Sequence, residues 1–559
     1  MKRIRTFLIV SGIWVWITLF PLLLFTFRYV FPDIPMTGRW ITVFAGITGT
    51  LNLILFVKNI GKINAGKSAS EITPLEGLSS VPDEYSSVSN KRKYQYPAIN
   101  PKISYKHPEG FCLGKDPHTG MYVCRSFSEE GSILINGGSG TGKSSCYIIN
   151  YLLLSKGYGE KGNGTPQAHN FAIDIKHELA DLTARKGDGS IIIDPTDHNS
   201  YGIDPFYELS PSSSDGEVYK VMSNVAVSLI PPMPGPNEFF SLQARELLKG
   251  CFLYYYKYRG CTTFTEVLRQ IFSRPIQQTI EEILTGTPPG SPAYISVVDF
   301  ASFKEPDAGD NPQTAQASET VMSIFMNFKS KASALLADED LAYALGDNPK
   351  KFTPDMLLSH DVYFCIPKGQ VQQYGQLTFL TLNMVFLWVM ALPERRLSNR
   401  LPIGIVLDEV VALLDGMGGR LAELVTVLRL ARSVGAFVIM CVQSISGLKC
   451  VYSDSQVEDM LSNLPYRIIL DATTVSTQKM VIDAAGKFKE RKVTYANNGG
   501  KRTQTTTFEE KNIVDGKDLI ELGGSDEMIL ISTKTGYCRL KKVPYYKDAH
   551  YRKILPQKE

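Results

Sequence analysis

The stretch Gly137-Gly138-Ser139-Gly140-Thr141-Gly142-Lys143-Ser144, completed by Ser145, satisfies the spacing G-x-x-x-x-G-K-[ST]. Glycines at these positions let backbone N–H groups close on phosphate oxygens. Lys143 then neutralises the β and γ phosphates, and the Ser144 hydroxyl reaches Mg²⁺. The second half of such a site is "IGIVLDEVVAL", where Asp408 and Glu409 end an apolar run. Asp408 is placed to hold Mg²⁺ through water, and Glu409 to polarise the attacking water as general base. "VIMCVQS" ends in Gln443, an amide suited to coupling hydrolysis to shape change. "RLARSVG" offers Arg429 and Arg432, either of which could reach a neighbouring subunit's γ-phosphate. "DIKHELADLTARK" carries Asp174, Lys176 and Glu178, which physical reasoning alone leaves as strand-end and helix-start charges.

Such residues must be carried on strand ends. The apolar runs "SILIN", "FAIDI", "SIIID", "DVYFCI", "IGIVLDE", "AFVIMCVQS" and "YRIIL" read as strands separated by helical spacing, with "EMILIS" and "GYCRLKKV" as a closing pair. This order predicts an α/β fold with a parallel sheet covered on both faces. From Pro205 to about Pro349 the strands stop and only helical spacing remains, as in "NEFFSLQARELLKGCFLYYYKYRG". An all-α insertion is expected there.

The chain opens differently. Phe7 to Phe27 holds no charge and matches the ~20 apolar residues that cross a bilayer. Ile41 to Val57 is a second uncharged run. Lys2, Arg3 and Arg5 precede the first span, and Lys58, Lys62 and Lys67 follow the second, so both ends are expected on the cytoplasmic side. A polar, Ser- and Pro-containing linker follows.

With 59 basic and 56 acidic residues, the net charge of +3 marks no global nucleic-acid binder. Any such contact needs a local patch. Residues 486–511, "GKFKERKVTYANNGGKRTQTTTFEEK", interleave Lys487, Lys489, Arg491, Lys492, Lys501 and Arg502 with Phe488 and Tyr495. That composition suits single-stranded nucleic acid. The Asn497-Asn498-Gly499-Gly500 centre equally reads as the turn of an exposed hairpin with no such role. The nine cysteines show no C-x-x-C pair or zinc spacing and read as reduced thiols.

Taken in order, the two-span anchor, "GGSGTGKSS", "FAIDIKHELADLTAR", the helical insertion, "IVLDE", "VQS" and the ending "DLIELGGSDEMILISTKTGYCRLKKVPYYKDAHY" resemble the coupling proteins of type IV secretion and conjugation, the TraG/TraD/TrwB type. The resemblance implies a two-span transmembrane anchor (1–60), a linker (61–100), a RecA-like P-loop ATPase domain in two parts (101–206 and 351–559) and an inserted all-α domain (207–350). It further implies ATP and Mg²⁺ as cofactors and a homo-hexameric ring in the bacterial inner membrane, with the ATPase body cytoplasmic. The implied partners are the secretion channel and a relaxase or relaxosome, or effector proteins, met through the all-α domain, with single-stranded DNA as possible cargo. The family often has glycine where His177 stands and an aromatic where Val410 stands. Two other readings remain open at this level: an FtsK-like DNA translocase, and a catalytically quiet membrane docking receptor.

Overall fold

The computed structural model describes residues 95–556, apart from 128–130, 159–163, 186, 232–237, 302–321, 327, 331, 368, 398, 418–419, 499–500 and 533–535. The expected anchor and nearly all of the linker lie outside the described residues. Among the described residues, no helix is long and apolar enough to cross a membrane.

The described residues form sixteen strands: β1 (Ser104–Tyr105), β2 (Phe111–Lys115), β3 (Tyr122–Arg125), β4 (Ile133–Asn136), β5 (His169–Asp174), β6 (Ile191–Ile193), β7 (Gly202–Ile203), β8 (Lys351–Phe352), β9 (Val362–Cys365), β10 (Ile403–Leu407), β11 (Ala436–Val442), β12 (Tyr466–Ile469), β13 (Lys487–Asn498), β14 (Lys501–Asn512), β15 (Glu527–Ser532) and β16 (Gly536–Lys541). Twelve of them make one sheet in the order β1-β3-β2-β16-β15-β12-β4-β11-β10-β5-β9-β6. From β12 to β6 all neighbours are parallel, so the carboxyl ends of these strands share one edge. β15, β16, β2, β3 and β1 extend the sheet antiparallel. The strands β1 to β3 have no counterpart in the sequence reading: β1 has two residues, and Gly114, Lys115 and Arg125 cut short the apolar runs of β2 and β3.

The central strands of the sheet are mostly apolar because both faces are covered. Side chains alternate between two cores. Phe437, Ile439 and Cys441 of β11 enter the core that holds the helix after the glycine loop. Val438, Met440 and Val442 enter the other, which the inserted helices share. Gly404 of β10 is required by this packing. A Cβ there would lie 2.3 Å from the Tyr151 hydroxyl and 2.5 Å from Asn170 Oδ1, which hydrogen-bond each other beneath the strand.

The chain leaves the sheet after β6 and returns to it at β9; in between, β7 and β8 pair in parallel as a separate short stem. The described elements between them are all helices, among them Asp215–Leu229, Glu238–Arg259, Phe264–Phe272 and Ile276–Gly286. Ser214 with Glu217, and Thr263 with Glu266, form reciprocal capping boxes that fix two of their starts. The helix Asp215–Leu229 is tied to the apolar sheet helix Gly375–Ala391 by a buried hydrogen bond from Asn383 Nδ2 to Ser228 Oγ, 2.6 Å.

Gly404→Ala is expected to destabilise the protein by about 1–3 kcal/mol, the usual cost of overpacking a filled core. Chemical denaturation would read this as a lower midpoint. An unchanged midpoint would show that the strand moves away from Tyr151 at little cost.

Candidate nucleotide site

The glycine loop begins where β4 ends, and its neighbours hold it in shape. The Gly137 amide donates to the Val442 carbonyl at the end of β11, 3.0 Å. The Gly138 amide donates to Asp471 Oδ2, 2.9 Å, and Asn136 Nδ2 to the Asp471 carbonyl, 3.0 Å. Asp471 was not read from the sequence; no motif marks it, only its place after β12, the strand next to β4. Gly140 and Gly142 take φ of +77° and +100°, left-handed values that glycine adopts without strain. Gly137 is needed for space, since a Cβ would lie 2.5 Å from Thr141 Oγ1. Ser139 and Thr141 complete the loop, Thr141 Oγ1 donating to the Gly138 carbonyl, 2.8 Å.

Lys143 is buried beneath the loop, and its ammonium donates to the carbonyls of Gly137 and Gly138 at 2.8 and 3.0 Å. The helix begins at Ser144 with a wide π-type turn, Ser144–Ile148, and continues as Ile149–Ser155. The Ser144 hydroxyl donates to Asp408 Oδ2, 3.1 Å. Burial pushes the Asp408 carboxyl above the usual carboxylate range, against the opposing pull of the Ser144 hydrogen bond. Its other oxygen, Oδ1, is buried without a hydrogen-bond partner. A buried carboxylate oxygen left unsatisfied next to a serine hydroxyl fits a hard divalent cation such as Mg²⁺, which takes oxygen ligands and keeps several waters.

Glu409 follows directly and takes φ of +56°, while His177, across the edge, takes +58°. Among the described residues these are the only two non-glycine residues with positive φ. Both follow the ends of parallel neighbours, β5 and β10, with Ile173 opposite Leu407. Left-handed backbone costs a non-glycine residue roughly 1–2 kcal/mol, and such strain clusters at functional sites. It also explains why the family resemblance leads to glycine at position 177. Asp174 holds the strained turn: its carboxylate accepts from the amides of Lys176 (3.2 Å) and Ala180 (2.9 Å). His177 Nε2 stands 3.6 Å from Asp194 Oδ2. The Lys176 ammonium lies 3.5 Å from Glu409 Oε1, a carboxylate whose side chain is 22% exposed. Glu178 starts the short helix Glu178–Thr183. Of this segment, Lys176 is the residue that reaches Glu409, and nothing in the residue types distinguishes it from its neighbours.

Gln443 is exposed at the end of β11, beside the carbonyl that anchors Gly137. Arg432 lies before β11, at the opposite end of the strand. The seven residues of β11 span roughly 20 Å at ~3.3 Å per residue, so Arg432 does not join this chain's own site. Arg429 is ion-paired with Asp459 of the helix Asp454–Ser462.

Beyond Ser145 and Cys146 opens a cleft of about 610 Å³, closed on its far side by Gly523–Asp526 and Lys542–Asp548. The Tyr545 amide donates to the Ser145 carbonyl, 3.0 Å, and Asn150 Nδ2 to the Val543 carbonyl, 2.7 Å, so the chain's end is fastened to the phosphate helix. Lys542, whose pKa is lowered by burial, and Tyr546, 52% exposed, line this cleft. Neither was singled out as a site residue from the sequence.

Residues 85–559 match the family described as "Type IV secretory system Conjugative DNA transfer". No curated protein sequence matches the chain. Among solved structures, the bacterial conjugative coupling protein TrwBdeltaN70 superposes with a TM-score of 0.57 at 15% identity, covering 84% of this chain and 94% of that one. The plasmid coupling protein TrwB in complex with the ATP analogue ADPNP gives 0.55 at 16% identity, over 82% and 92% of the two chains. TrwB in complex with ADP and Mg²⁺ gives 0.56 at 16% identity, with the same coverage. These likenesses establish a shared RecA-like α/β fold, and the match over residues 85–559 places the chain in the type IV secretory system family of conjugative DNA transfer proteins.

Proposed function

We propose that this chain is an ATP hydrolase that drives substrate delivery to a type IV secretion channel, anchored in the inner membrane by residues 1–60 and assembled as a homo-hexamer. The observation that carries the reading is the joined set Lys143, Ser144, Asp408 and Glu409: an ammonium held under a glycine loop, a hydroxyl bonded to a buried carboxylate, and a second carboxylate alongside. The cargo is single-stranded DNA with its relaxase, or effector proteins, and it is the relaxase or effector that is met through the helical insertion.

The chain's own residues divide the work. The Gly138–Gly142 backbone and Lys143 bind the triphosphate, the ammonium exchanging loop carbonyls for phosphate oxygens. Ser144 and Asp408 would hold Mg²⁺, which when bound supplies charge neutralisation at the β and γ phosphates. Glu409 takes the proton of the attacking water, and its strained backbone together with the Lys176 ammonium fixes where its carboxylate points. Gln443 stands where it can report the γ-phosphate to the rest of the sheet. Arg432 serves the neighbouring subunit's site. The cleft beyond Ser145 takes the ribose and base, with Tyr546 as a stacking surface.

Lys143→Ala is expected to abolish ATP binding, and Glu409→Gln to retain binding while lowering kcat at least 100-fold. Both are read on the full-length protein in lipid by nucleotide binding and phosphate release. Wild-type-like turnover in Glu409→Gln would sink the base assignment. Lys176→Met is expected to lower kcat about tenfold with ATP affinity unchanged, because the ion pair orients the base without touching nucleotide; an affinity loss with intact kcat would assign Lys176 to phosphate binding instead. Tyr546→Ala should raise the KM for ATP several-fold and leave kcat intact. An unchanged KM would move the base elsewhere.

A further inference from the structure

The strands β13 and β14 pair with each other over all twelve residues, from Lys487 opposite Asn512 to Asn498 opposite Lys501. Among the described residues they pair with no other strand. At ~3.4 Å per residue the ribbon is roughly 40 Å long. Residues opposite each other in an antiparallel ladder share a face, and successive residues alternate faces.

The two faces differ in composition. Register positions 487, 489, 491 and 495 put Lys487, Lys489, Arg491 and Tyr495 on one face, joined from β14 by Arg502 and Phe508, with Glu510 its one acidic residue. Arg491 stands directly opposite Phe508. Lys487 and Lys489 are exposed, and Phe508 is 48% exposed. The other face begins at a buried root: Phe488 is packed away, and the buried Glu490 pairs with Lys511 at 2.5 Å. It also carries Glu509 beside Lys492 and Lys501, so its charges are mixed.

From this juxtaposition we infer that the Lys487–Lys489–Arg491–Tyr495–Phe508 face of the hairpin is a binding platform for single-stranded nucleic acid. The inference rests on the preceding reading and names where cargo meets the motor. Cations at alternate positions on one face suit a phosphate backbone, and the exposed ring of Phe508 among them suits unpaired bases, which stack on a ring without sequence preference. A duplex offers the phosphates but not the free base faces. The ribbon is also joined through the chain to the residue that holds the glycine loop. Its first strand continues from the helix Val475–Ala485, reached from Asp471, which holds the Gly138 amide. Its second leads through the helix Gly516–Leu522 to Gly523, where a Cβ would lie 3.1 Å from Asp471 Cβ and which lines the cleft.

The test measures binding of a fluorescent oligo(dT) to full-length protein in lipid at two salt concentrations, with basal ATP hydrolysis recorded in parallel. Lys489→Glu with Arg491→Glu changes the proposed face; Lys492→Glu with Lys501→Glu makes the same charge change on the other. The first pair is expected to weaken binding at least tenfold, the second less than threefold, with basal hydrolysis unchanged in both. Phe508→Ala is expected to weaken binding several-fold without altering the salt dependence, since stacking releases no counterions. Equal losses from the two pairs, equal affinity for duplex DNA, or wild-type protein that hydrolyses ATP but binds no oligo(dT) would each overturn the platform. Failure of basal hydrolysis in the wild type would strike the ATPase reading and leave the binding comparison to decide the platform by itself.

Discussion

Ser144 and Asp408 are separated by 264 positions in the chain and by 3.1 Å in space. That hydrogen bond can form only if β4 and β10 both end at the same edge of the sheet, with β11 between them in register. The parallel order of the central strands satisfies this condition, and the rest of the molecule is arranged around it. Helices fill both faces because a parallel sheet has no solvated side. The antiparallel extension from β15 to β1 brings the end of the chain against the phosphate helix, where it closes the cleft beyond Ser145. The contact joins segments on either side of the whole helical insertion. Closing it is an entropic cost that the two buried cores must offset.

Strain is concentrated where chemistry is expected. Glu409 and His177 sit in left-handed backbone on adjacent strand ends, held by the Asp174 carboxylate on one side and facing the Lys176 ammonium on the other. Asp408 carries the matching electrostatic tension, a buried carboxyl with one oxygen satisfied and one not. A site in this condition would gain on binding: a cation would remove the unsatisfied oxygen's penalty, and a phosphate would replace the carbonyls that occupy Lys143.

The sequence exposed those parts of the site that follow local rules. Gly140, Gly142 and Lys143 obey a spacing set by backbone conformation and charge, and Asp408-Glu409 close an apolar strand, so both read directly from the residues. The central strands were legible because burial on both faces makes them continuously apolar. Asp471 and the cleft residues Lys542 and Tyr546 were not, because their roles come from strand order: β12 lies beside β4, and β15–β16 fold back beside β12. Lys176 was visible but undistinguished until β5 was seen to neighbour β10. The strands β1 to β3 left no clear signal because β1 has two residues and Gly114, Lys115 and Arg125 cut short the apolar runs of β2 and β3.

The inserted helices enter and leave through the brief β7–β8 stem, yet their apolar side chains run without a break into the core beneath β5, β9 and β10. Val267 and Ile283 of the insertion belong to the same packed cluster as Phe364 and Leu407 of the sheet, and the Asn383–Ser228 bond pins the two together. A pull on the outer helices is therefore not absorbed by a soft hinge at the stem. It would be carried as shear across close-packed side chains to the strand that leads into Asp408, so the described part of the insertion would move as a rigid extension of the sheet.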